Sequence, residues 1–132
     1  MRRTLSRDDV FARICVRDPY FALTELCASD DEILAVVRAE QPLGREGGPI
    51  SAAEAGRHLA ILGSCAAAFS RSDDKRNFYL ATTATLTRSG DKPMALSSPH
   101  LCVRATGWCD GREAGSRAAM TTAEGAPVSP VE

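Results

Sequence analysis

Between Ser51 and Phe69 lies the stretch that most restricts how this chain can fold. Alanine, leucine, isoleucine and arginine dominate it, with Gly56 and Gly63 as weak points, so the segment predicts a helix over about 52–69. Ser51 followed by Glu54 has the spacing of a capping box at its start. At ~100° per residue, Glu54, Arg57 and His58 share one arc in the first two turns. Ile61, Cys65 and Phe69 continue that side, while Ala55, Leu59, Leu62 and Ala66 fill the opposite one. The second half is therefore apolar nearly all round, the pattern of a helix buried in protein and not laid on a surface. Its small residues, among them Ala60 and Gly63, admit a close neighbour. A fold for this chain must enclose this rod.

What can enclose it is β-structure. Ile33–Glu40 alternates, with Leu34, Val36 and Arg38 on one face and Ile33, Ala35, Val37 and Ala39 on the other. Phe78–Thr87 alternates over ten residues and is the strongest strand signal in the chain. Leu101–Trp108 alternates again, Asp110-Gly111 is a hairpin-type turn, and Glu113–Ala123 supplies a returning strand. Ahead of these, Ser6–Arg17 reads as a short amphipathic helix or turn stopped by Asp18-Pro19. Tyr20, Phe21, Leu23 and Leu26 form an apolar cluster for packing on the body. Gln41–Ile50, with three glycines and two prolines, is a loop. The order predicts an α+β domain over residues 1–124, with 125–132 as a frayed tail; 132 residues suit one core. No strand–helix alternation builds a doubly wound sheet, and no G-x-G-x-x-G opens the helix.

Composition narrows the function classes. Sixteen basic against 17 acidic side chains leave a net charge of −1 and no basic stripe, which argues against a nucleic-acid partner. Leu59–Phe69, the longest apolar candidate, falls short of the ~18 residues of a membrane span. Five cysteines at wide, irregular spacing, with no C-x-x-C, read as reduced thiols in a cytoplasmic protein. The basic start reaches Asp8 and Asp9 where a signal peptide needs an apolar stretch. No set of His, Cys, Asp and Glu has metal-ligand spacing, and no cofactor is expected.

Chemistry then concentrates at the head of the helix. Glu54 is suited to activate water as a general base or to attack a carbonyl, and it is equally suited to cap the helix with Ser51. His58, one turn on, is placed for proton transfer or for a local hydrogen bond to Glu54. Arg57 fits an anionic ligand group or an acid across a subunit interface. Three ionisable groups on an otherwise apolar helix must meet solvent, a ligand or a partner, since an unpaired buried charge is costly. Cys65 lies two turns from His58, ~10 Å of rise, too far for a nucleophile pair. Ser64 lacks the strand–turn–helix setting of a nucleophile elbow. Trp108 fits a pocket lining, a core or an interface.

Strand ILAVVRAE, loop QPLGREGGPIS, helix AAEAGRHLAILGSCAAAF and strand NFYLATTATLTR followed by SGD together resemble the hot-dog fold of acyl-thioester enzymes. In that fold an antiparallel sheet wraps one long central helix. The resemblance covers about half of the chain, residues 33–91. It implies a homodimer acting on acyl-CoA or acyl carrier protein in fatty-acid or polyketide metabolism, with thioester hydrolysis as the first activity. Glu54 and His58 would be the catalytic pair, with Gly47, Gly48, Ser51 and Arg57 binding substrate, and amides from Gly47 to Ala52 holding the oxyanion. The dehydratase branch usually carries a histidine in the loop before the helix, and the loop Gly44–Ile50 has none. Dehydration of a 3-hydroxyacyl thioester with His58 in its place, and a noncatalytic assembly subunit, are the alternatives.

Overall fold

The computed structural model describes residues 3–16, 20–29, 31–38, 50–71, 77, 79, 82–85, 87, 100–122 and 127–131. In chain order these form β1 (Arg3–Thr4), α1 (Arg7–Phe11), β2 (Leu23–Ala28), β3 (Ile33–Arg38), α2 (Ala52–Ser70), β4 (His100–Asp110), β5 (Glu113–Thr122) and β6 (Pro127–Val131). The strands lie in the order β1-β2-β3-β4-β5-β6, each neighbouring pair antiparallel. The described residues are thus a six-stranded meander, with α2 inserted between β3 and β4 and packed on the sheet.

Period-two patterning decides which sheet face meets the helix. Ile33, Ala35 and Val37 are buried, and their cross-strand partners Ala105, Val103 and Leu101 are buried with them. Ala118 and Met120 extend the same layer on β5, opposite Ala105 and Val103. Against these sit Leu59, Leu62, Cys65 and Ala66 of α2. Each large side chain so buried contributes ~1.5–3 kcal/mol of apolar transfer free energy, which is why an all-round apolar helix lies here. Cys102, Arg104 and Thr106, the intervening residues of β4, face outward and are exposed.

Two close approaches fix the separation of α2 from the β4–β5 hairpin. A Cβ on Gly107 would stand 2.5 Å from the Ala66 carbonyl carbon and 2.5 Å from the Ala67 nitrogen. At Gly63 a Cβ would meet the Ser116 side chain. The Cys109 thiol donates to the Ala67 carbonyl at 3.1 Å, tying the hairpin end to the last turns of the helix. The hairpin closes through Gly111, whose φ of +61° a residue with a side chain rarely adopts.

Before the sheet core, Ser6 caps α1 with both halves of a capping box. The Asp9 N–H donates to Ser6 Oγ at 3.1 Å, and the Ser6 N–H donates to Asp9 Oδ2 at 2.8 Å. The Ser6 backbone N–H first, and the Ser6 hydroxyl after it, hold the Asp9 carboxyl below its ordinary value.

Several expectations need correcting. The segment with the strongest strand signal is not a sheet strand where it is described: Thr82–Thr85 and Thr87 are exposed and outside the sheet, and Asn77 makes an isolated bridge to Ile14. Both edges of β3 are already occupied, by β2 and β4, and a threonine-rich stripe has little apolar area to bury. Residues 127–131, expected as a tail, form β6; prolines are tolerated because β6 lies at the sheet edge. Of the early apolar cluster, Phe21, Leu23 and Leu26 are buried, but Tyr20 is exposed. Leu23–Ala28 is itself a strand, with a register shift between Thr24 and Cys27. The strand at Ile33 ends at Arg38 within the described residues, and the loop at 41–49 lies outside them.

Candidate functional site

The head of α2 is built by its cap. Ser51 is extended (φ −70°, ψ 153°), and its hydroxyl accepts the Glu54 N–H at 3.1 Å. The Glu54 carboxylate points one turn along the helix, where Oε2 meets His58 Nε2 at 2.9 Å. A carboxylate oxygen only accepts, so with Glu54 ionised Nε2 is the donor of this contact. Glu54 is 9% exposed and His58 fully buried, which makes them the buried polar pair within the described apolar core. The i, i+4 spacing is what lets the two side chains touch. Arg57, the third ionisable residue of the helix head, is half-buried.

The structure therefore brings Glu54, His58 and the Ser51 cap together, with Arg57 adjacent on the same helix. Gly47 and Gly48 lie outside the described residues. Cys65 is fully buried two turns below His58, and burial pushes its thiol up to about 12, so it behaves as a small apolar side chain. Trp108 is not a core residue: it is 52% exposed, with its ring over Gly115 of the neighbouring strand. Among the described residues, no group of three or more His, Cys, Asp or Glu is placed to hold a metal ion. No described helix is long and apolar enough to cross a membrane.

A cavity of about 130 Å³ opens at the far end of α2, between Ala66, Phe69, Gly107, Arg3 and the β2–β3 turn with Asp31 and Glu32. Ala66 is twelve residues beyond Glu54, ~18 Å along the helix axis. The sequence pattern does not mark this cavity, because its walls come from β1, a turn and a helix end that only the sheet topology assembles.

Comparison with known proteins places this geometry. A crystal structure of a thioesterase superfamily protein matches with a TM-score of 0.57 and 16% identity, over 80% of this chain and 53% of that one. The dehydratase domain of RzxB from Pseudomonas fluorescens matches with a TM-score of 0.64 and 10% identity, over 99% of this chain and 48% of that one. The chain spans about half the length of both structures. No family model matches the sequence, and no curated protein does. The fold is that of the hot-dog proteins: α+β, an antiparallel sheet packed on one long helix.

Proposed function

We propose that this chain acts on acyl thioesters, as a hydrolase of acyl-CoA or acyl carrier protein, with Glu54 as the base. The observation that carries the reading is the contact between Glu54 and His58 at 2.9 Å, buried at the head of the helix that packs on the sheet. Glu54 accepts a proton from water as its oxygen attacks the thioester carbonyl. The tetrahedral oxyanion is held by N–H groups at the helix start, near Ser51 and Ala52, where the helix dipole favours negative charge. Collapse breaks the carbon–sulfur bond, and the departing thiolate takes the proton back. His58 holds the Glu54 carboxylate in place through Nε2. Arg57 is the candidate for an anionic group of the carrier arm.

A homodimer and a cytoplasmic setting belong to the same proposal. The first rests on the resemblance to the hot-dog enzymes, whose members bind their substrate between two subunits. The second rests on the odd, scattered cysteine set.

The test is release of free thiol from acyl-CoA and acyl-carrier substrates by purified protein. Glu54→Gln abolishes release and leaves the far-ultraviolet circular dichroism unchanged. A wild type inactive on every acyl chain refutes hydrolysis and favours a noncatalytic assembly subunit.

Dehydration of a 3-hydroxyacyl thioester is the second reading, favoured by one observation. Glu54 and His58 touch, and two proton carriers are what removal of an α-proton and protonation of the departing hydroxyl require. Appearance of an enoyl thioester from the 3-hydroxyacyl substrate, without thiol release, selects it.

A further inference from the structure

We infer that the outward face of β3, β4 and β5 docks a second copy of this chain, related by a two-fold axis that passes beside Trp108. The contact stands apart from the thioester reading and uses none of the residues at the head of α2.

The outward side of these strands lacks the pattern of a water-facing one, which alternation makes polar in an antiparallel sheet. Leu34 and Val36 of β3 and Ala119 of β5 are half-buried there, while Cys102 and Trp108 of β4 are exposed. Register makes them neighbours: Val36 lies opposite Cys102, and Leu34 and Ala119 flank Arg104 from either side. Further along β4, Trp108 is 52% exposed, with its ring over Gly115. α2 packs on the opposite face, against the layer of Val103, Ala105 and Ala118. An exposed tryptophan beside a run of apolar neighbours marks a face that something covers.

Charge decides the occupant. Residues 104, 106, 108 and 110 of β4 share the outward face, with Arg104 among the apolar residues and Asp110 at the hairpin end, opposite Glu113. Six residues of strand separate Arg104 from Asp110, ~20 Å. Charges in salt act over ~10 Å, so the two do not neutralise each other within one copy. Among the described residues, neither has an ion-pair partner. A uniformly acidic or basic partner would match this face at one end only. A two-fold axis crossing the strands level with residue 107 matches both ends, because it lays β4 antiparallel on its own copy. Arg104 of each copy then stands over Asp110 of the other, as a self-complementary two-fold contact requires. The two Trp108 side chains come together near the axis. Arg117, paired with Thr106, comes against the ring that covers Gly115 in the other copy, where an arginine is favoured.

The experiment measures the mass of the full chain by sedimentation over a dilution series. Emission of Trp108, the one tryptophan of the sequence, is followed alongside. The wild type is expected to dissociate on dilution, with emission moving to longer wavelength as Trp108 meets water. Arg104→Asp and Asp110→Arg each set like charges together across the axis. Each is expected to raise the dissociation constant about tenfold or more, halving the mass at a fixed concentration. The variant carrying both exchanges the two charges and is expected to return to within about threefold of wild type, since the axis pairs the two positions with each other. Both side chains are exposed, and circular dichroism checks that each variant keeps its fold. The halving runs from four copies to two where a homodimer also forms at the head of α2, and from two to one where it does not. Loss of the thioester reading therefore leaves the outcome unchanged. A wild type that is a single copy throughout overturns the second copy and leaves the face to a partner of another kind. Single variants without effect, or a double variant that stays dissociated, overturn it as well.

Discussion

Two glycine-to-alanine substitutions of the same size should move stability in opposite directions. At Gly107 the added methyl stands 2.5 Å from two backbone atoms of α2 and 2.8 Å from a third, where ordinary contact begins near 3.4 Å. The overlap is close to 1 Å, and the atoms it meets belong to the Ala66–Ala67 peptide, which has no rotamer to yield with. Helix and hairpin must separate across residues that are only 3–6% exposed. Overpacking of this kind costs ~1–3 kcal/mol, and backbone on both sides argues for the upper half. Relief of glycine's unfolded-state freedom returns up to ~1 kcal/mol. The expected net loss is about 2 kcal/mol. Gly56 in the second turn of α2 has nothing within 4 Å of the same methyl, so alanine there gains ~0.5–1 kcal/mol of helix propensity.

Urea unfolding followed by circular dichroism reads both variants. With a slope of ~1–3 kcal/mol/M, the Gly107→Ala midpoint falls by about 1 M and the Gly56→Ala midpoint rises by a few tenths. The slopes themselves should match wild type. A Gly107→Ala protein within about 0.5 kcal/mol of wild type would refute the close packing of helix on hairpin.

The remaining predictions concern titrating groups. Iodoacetamide at neutral pH should label exposed Cys102 and spare Cys65 until the protein unfolds. Because burial raises the Cys65 thiol from 9.0 to about 12, the unfolded chain ionises first; stability is whole below pH 9 and falls between pH 9 and 12, by at most ~1.4 kcal/mol per pH unit. Cys65→Ala should flatten that alkaline slope, and an unchanged slope would refute the assignment. At the acid end Asp9 has the opposite sign: its carboxyl is lowered from 3.8, so the α1 cap is intact above that pH and is lost as pH falls through the lowered value. Asp9→Asn, which leaves no carboxyl to titrate, should remove this acid dependence, read by amide exchange in α1.

How much was legible in the sequence divides by physical cause. The helix over Ala52–Ser70, its Ser51 cap and its burial were readable, because an apolar surface repeating all round has one stable location. The faces of β3 and the β4–β5 hairpin were readable from alternation over six to eleven residues. Leu23–Ala28 was not: the register shift between Thr24 and Cys27, with Glu25 at φ +51°, breaks the period of two and leaves only an apolar cluster in the letters. Pro127–Val131 hid behind its prolines, which lower strand propensity everywhere but at an edge. Phe78–Thr87 misled in the other direction, since alternation measures what a strand can offer and not whether a sheet edge is open to it.

The candidate site was legible as residues, and the Glu54–His58 hydrogen bond as one of two roles open to the histidine. Ser51–Glu54 spacing invites the reading that the glutamate completes the cap, yet the hydroxyl of Ser51 supplies its half through the Glu54 N–H, and the carboxylate reaches His58. Stability alone does not account for that arrangement. Taking a carboxylate and an imidazole out of water opposes folding, and a buried charged pair is often no better than apolar residues of equal volume. Leucine or methionine at both positions would suit the surrounding core of Leu59, Leu62 and Val103. A polar pair set into an apolar core therefore needs a reason other than packing. The proton transfer proposed for Glu54 would supply one, and the i, i+4 spacing is what lets the two side chains touch.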